Sequence, residues 1–139
     1  MKLSEVSLQQ LINQLLGNQM STAFRNKSVV TNEISRDIQL SKDKIAVAPV
    51  IRHLLATVIS NARNGEIYIS AERFRDIIIL NVQDRNNYNG YALDYSIKAM
   101  ETEATSAGGN LTIEGAQKRV VNISLSFPYQ TEHVAAYDC

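Results

Sequence analysis

Few residues of this chain could do chemistry, and none falls into an arrangement that catalysis by side chains alone requires. The two histidines are His53, beside Leu54 and Leu55, and His133, in a polar C-terminal stretch. Neither is accompanied by a serine and aspartate for nucleophilic attack, and no CxxC motif or carboxylate pair offers another site. The one cysteine, Cys139, is the last residue, so it staples no fold and says little about redox compartment. Amides and glycines are more prominent. Asn61 stands just before Asn64-Gly65, and Asp84 opens a polar run that passes Asn86 and Tyr88 to reach Gly90. Taken alone, Asn61 reads as a residue near a helix C-terminus, where asparagine is common, and Asp84 as a turn former.

The elements that must position these residues follow from hydrophobic spacing. Leu3, Val6, Leu8, Leu11, Ile12, Leu15 and Leu16 recur at helical intervals. They predict an amphipathic helix over 4–17, with Ser4 as N-cap and Gly17 as stop. The pattern lasts barely two heptads, so its apolar face is expected on the domain's own core rather than in a coiled coil. After a polar bridge, a strand is expected over 27–34 and short extended pieces over 37–40 and 44–47. Pro49 suits the first turn of a long helix whose stripe is Val50, Ile51, Leu54, Leu55, Val58 and Ile59. Strands over 66–71 and 76–83 come next, then a polar loop, a helix over 91–106, and a closing strand pair over 110–114 and 119–127. Strand pairs joined by tight turns exclude a simple parallel wind. They predict an α/β (α+β) two-layer sandwich, a mixed sheet with its helices on one face.

A length of 139 residues fits one domain, divided as helix and bridge 1–24, core 25–129 and tail 130–139. Basic and acidic residues number 14 each, so no overall field recruits nucleic acid, and no Lys/Arg run marks a membrane-surface patch. No apolar run is long enough to span a bilayer and Met1 leads into a polar amphipathic segment, so the expected location is cytoplasmic, without membrane insertion.

Six short motifs, in order, resemble the ATP-binding domain of two-component sensor histidine kinases, part of a wider histidine-kinase-like ATPase (GHKL) superfamily. Thr31-Asn32-Glu33-Ile34 with Asp37-Ile38 is similar to the strand pair before the kinase N-box, and Val58-Ile59-Ser60-Asn61-Ala62 to the N-box itself. Gly65–Ala71 resembles the strand that follows, and Ile79–Asp84 the strand entering the first glycine box. Gly108–Ile113 and Ser126-Phe127-Pro128 resemble the entry to the last strands and their close. The likeness spans about residues 25–129 and implies the Bergerat-type ATP-binding fold. It also implies roles. Asn61 matches the asparagine that holds magnesium, a hard cation suited by a neutral oxygen donor, and Asp84 the aspartate that accepts from the adenine amino group.

The same resemblance exposes what is missing. Thr57 and Asn64 replace an asparagine and a basic residue of the N-box, while Asn86 and Tyr88 fall on two glycines that let the backbone approach the base and ribose. The tyrosine ring is expected to occupy that space. The lid and its second glycine motif shrink to Asn89-Gly90-Tyr91-Ala92-Leu93, leaving Gly90 as the surviving glycine of a phosphate cradle. Asn61, Asp84, Asn86, Tyr88 and Gly90 are therefore the expected cofactor-binding positions and Asn61 the metal position, with ATP and magnesium held weakly or lost. Neither His53 nor His133 fits the histidine of a phosphoacceptor hairpin, so those helices are not expected within these residues. Three functions follow: a degenerate signalling or protein-interaction module without catalysis, a working Mg-ATP-binding domain of a protein-histidine kinase, and a homodimeric module built on the first helix. Tyr68, Tyr91 and Tyr95 are expected as half-buried surface, and His53 as a packing or helix-surface residue.

Overall fold

The computed structural model describes residues 5–41 and 46–129. The chain enters through strand β1 (Glu5–Ser7), whose last residue caps helix α1 (Leu8–Gly17): Ser7 Oγ accepts from Gln10 N at 3.3 Å. The helix thus starts at Leu8 rather than residue 4, because residues 5–7 are drawn into strand pairing. Ser4, the expected cap, lies outside the described residues. The polar bridge holds a short helix the spacing did not reveal, α2 (Met20–Arg25); only Ala23 of it is buried, so it has no apolar stripe to read. Strands β2 (Val29–Asn32) and β3 (Gln39–Ser41) follow, each shorter than expected, and β3 pairs antiparallel with β1. The expected piece over 44–47 is half outside the described residues, and Ala46-Val47 wind into helix α3 (Ala48–Asn61) instead of extending.

A long hairpin comes next: β4 (Glu66–Phe74) and β5 (Ile77–Asp84), turned at Arg75 in a left-handed conformation (φ 58°). The single helix expected over 91–106 is two, α4 (Gly90–Lys98) and α5 (Glu101–Ser106). A tightened turn in which Met100 N donates to Ile97 O at 2.9 Å separates them and tucks Met100 into the core. Strands β6 (Asn110–Glu114) and β7 (Val121–Pro128) close the fold. His133 and Cys139 lie outside the described residues.

The main sheet runs β2-β4-β5-β7-β6, parallel at β2–β4 and antiparallel elsewhere, the mixed sheet that the strand pairs predict. Its inward row, with Ile67, Ile69, Ile78, Leu80, Val82, Ile123 and Leu125, packs in one core with the α3 stripe and Leu93 and Ile97 of α4. Each such side chain contributes ~1.5–3 kcal/mol on burial. Leu8, Ile12 and Leu16 of α1 belong to the same core, so the apolar face of that helix is already covered from within the chain. The outward row carries polar pairs: Gln83 Nε2 donates to Asn122 Oδ1 at 2.7 Å and Ser124 Oγ to Asn81 Oδ1 at 2.8 Å. No described helix is long and apolar enough to cross a membrane.

Candidate functional site

Helix α3 ends, β4 begins and β5 ends at the same edge of the sheet, which brings Asn61 and Asp84 together. Asp84 is the last residue of β5, on the inward row, and only 1% exposed. A carboxylate buried this deeply requires donors. Asn86 N donates to its Oδ1 at 3.2 Å and Asn87 Nδ2 to its Oδ2 at 3.0 Å. Gly65 is needed beside it: a Cβ there would lie 2.9 Å from Ala62 Cβ and 3.2 Å from Asp84 Oδ1.

Asn87, a residue the motifs do not single out, is the centre of the site. It is 4% exposed, and its amide nitrogen gives a second hydrogen bond to Asn61 Oδ1 at 3.0 Å. Its Oδ1 accepts from Asn89 N at 2.8 Å and its backbone N donates to Arg119 O at 2.8 Å. Asn61 in turn gives its Nδ2 proton to Asn89 O at 3.3 Å. One carboxamide therefore joins the two residues that the resemblance assigns to adenine and magnesium. The legible signal was the cluster Asn86-Asn87-Tyr88-Asn89 itself, since asparagines in a turn beside a buried acid bond locally.

The other expected site residues sit differently. Tyr88 is 66% exposed and faces away from Asp84, with the Arg119 guanidinium 4.1 Å from its ring centre. It does not fill the space expected of it, because its neighbour Asn87 takes the buried place. Asn86 is spent on the loop's own structure, donating from Nδ2 to Asn64 O at 2.8 Å. Gly90 opens α4 directly against the β6–β7 turn, where a Cβ would come within 1.8 Å of Ala116 O. Its bare backbone serves packing. Thr57 turns to Met100 Sδ, and an open groove of about 390 Å³ between α3 and α4 is lined by Ala56, Thr57, Ser60, Asn61, Ala92 and Ser96. Tyr91 and Tyr95 are fully surface residues rather than half-buried ones, since they sit on the outer side of α4, while Tyr68 is half-buried under Arg85 at 3.9 Å. His53 Nδ1 lies 2.8 Å from Glu103 Oε1, tying α3 to α5.

No family model matches the sequence. No curated protein matches it either. Solved structures do. The nucleotide-free catalytic domain of histidine kinase ThkA superposes with a TM-score of 0.68 over 95% of this chain and 100% of that one, at 18% identity. The fold is that of a histidine kinase catalytic domain. A histidine kinase from Burkholderia phymatum gives a TM-score of 0.70 at 13% identity, covering 94% of this chain and 73% of its own. ThkA in complex with the response regulator protein TrrA matches at 0.64 and 17% identity, over 91% of this chain and 41% of that one.

The sequence resemblance assigns adenine to Asp84 and magnesium to Asn61. Each Asp84 oxygen accepts one hydrogen bond from within the chain and Asn61 Oδ1 accepts one from Asn87, which leaves each oxygen a second lone pair. In this arrangement the Asn87 side chain bridges the two residues.

Proposed function

We propose that this chain is a histidine-kinase-like ATPase domain of two-component signalling that keeps the catalytic-domain scaffold as a signalling or protein-interaction module and no longer grips ATP. The observation that carries this is the Asn87 carboxamide bonded to both Asp84 and Asn61. A nucleotide would have to displace a buried amide with its bonds at Asp84, Asn61 and Asn89, at about 1–3 kcal/mol for each polar group left unsatisfied. It would then gain little at the phosphates, because only five residues separate β5 from α4, too short a connection to close over them. Phosphoryl transfer depends on positioning and charge neutralisation, which these losses remove. The complex of ThkA with a response regulator supports a protein partner as the retained function.

The second reading, a working Mg-ATP-binding domain, draws on the contiguity of Asn61, Asp84 and the open groove, and on Tyr88 facing away. It requires residues 86–89 to swing outward. Calorimetric titration with Mg-ATP separates the two. The first reading expects no saturable heat up to millimolar nucleotide. Micromolar binding that is weakened by Asp84→Asn would establish the second.

A further inference from the structure

Four segments meet at the site's end of the sheet: 26–28, 62–65, 85–89 and 115–120. They are knit together. Asn64 N donates to Asn26 O at 2.9 Å, Gly65 N to Ser28 Oγ at 3.0 Å, Asn86 Nδ2 to Asn64 O at 2.8 Å and Asn87 N to Arg119 O at 2.8 Å. On this platform, or at its border, stand six exposed cations: Arg25, Lys27, Arg63, Arg85, Lys118 and Arg119. None of the six pairs with a described carboxylate. The exposed acids there are Glu66 and Glu114, since Asp84 is buried and satisfied from within. The opposite end is mixed, with Arg73 and Arg75 beside Glu5 and Asp76. A chain that is neutral overall thus concentrates unpaired positive charge at one end.

We infer that this end is a docking surface for an acidic face of a partner protein. Three features select a protein over other anions. Four of the six cations are arginine, whose planar fork takes a carboxylate through two parallel hydrogen bonds. Three of those forks are already oriented. Arg63 Nη1 donates to Ser60 O at 2.7 Å and Ala62 O at 2.8 Å, while Arg85 and Arg119 lie on the rings of Tyr68 and Tyr88. Orientation before binding lowers the entropy lost on docking. Exposed Tyr88 among arginines is also the composition enriched at protein interfaces. The same stacking argues against single-stranded nucleic acid, because each tyrosine already carries a guanidinium on one face where a base would stack.

The inference gives partner chemistry to the interaction role proposed above and rests on that role for its meaning. The Mg-ATP titration reads the pocket and the following one reads the loops, so either can fail alone. The ¹⁵N-labelled chain is titrated with a short Glu/Ala peptide, an oligodeoxythymidylate and phosphatidylglycerol vesicles, at low and physiological salt. The peptide is expected to shift amides of the four segments selectively and to bind more weakly in salt. The Arg85→Glu/Arg119→Glu double variant should lose ~10-fold or more in affinity. Arg25→Glu/Lys118→Glu, which touches no hydrogen bond of the platform, provides the same test should the first variant lose its circular dichroism signature. Shifts scattered over the surface, absence of binding, or equal binding to folded charge-reversed variants would overturn the proposal. So would tighter binding of the oligonucleotide or the vesicles at this end.

Discussion

From Ile67 to Val82 the β4–β5 hairpin is held by buried isoleucine, leucine and valine side chains against α3, whereas residues 85–89, one step along the chain, are held largely by hydrogen bonds among asparagines. The first kind of structure is tolerant: apolar side chains of similar volume can be exchanged while the pattern and the fold persist. A fold shared with the ThkA catalytic domain at 18% identity accords with that tolerance. The second kind is directional, and a few amides in new places redefine what a pocket can hold. Scaffold and ligand grip can therefore part company in one domain, and the proposed function holds that here they have.

The comparison breaks first at the scaffold. Leu80→Ala, at a fully buried position on the central strand, should cost about 2–5 kcal/mol in urea unfolding. A cost near zero would mean the hairpin is not the element that sustains the fold. Asn87→Ala should cost less, about 1–3 kcal/mol, because it strips donors from Asp84 and Asn61 without opening an apolar cavity. If it were neutral, the carboxamide would not be the keystone of the loop.

The smallest effect lies at the far end of the sheet. There the Tyr129 hydroxyl donates to Glu5 Oε2, with the Arg73 guanidinium 3.6 Å from the ring centre. The hydrogen bond to Glu5, then burial and the Glu5 charge, push the tyrosine hydroxyl above its usual 10.0, with Arg73 opposing. A raised folded value means the protonated form is the stabilised one. The contribution is full below pH 10.0 and lost as pH rises through the folded value. Thermal melts across that alkaline window should fall more steeply for the native chain than for Tyr129→Phe. Parallel slopes would show that the bond does not couple to folding.

Much of the scaffold was legible because burial leaves a periodic trace. The α3 stripe announced itself, and the turn-joined strand pairs implied a mixed sheet. Elements without that trace were missed or misplaced: α2 buries only Ala23, β1 gains its character from pairing with distant β3, and the α4–α5 break rests on where Met100 packs. At the site, motif order located Asn61 and Asp84, whose places are fixed by α3 and β5. It could not say which of the adjacent residues 87 and 88 turns inward. A tyrosine offers more volume to a cavity, but a buried carboxylate needs a donor with somewhere to send its other proton and its oxygen. Asn87 meets that need with Asn61 and Asn89, and Tyr88 does not. The resemblance makes Gly90 a phosphate-cradle glycine, while the constraint the structure shows is the carbonyl of Ala116, a tertiary contact that no local pattern encodes.

The proposal that Asn87 closes the pocket is tested most directly at its carboxamide protons, followed by NMR as Mg-ATP is added to the native chain. Held between Asp84 and Asn61, they should exchange slowly with solvent and keep their shifts through millimolar nucleotide. Rapid exchange, or shifts that move with Mg-ATP and saturate, would mean that the amide leaves its place and that nucleotide enters beside Asp84.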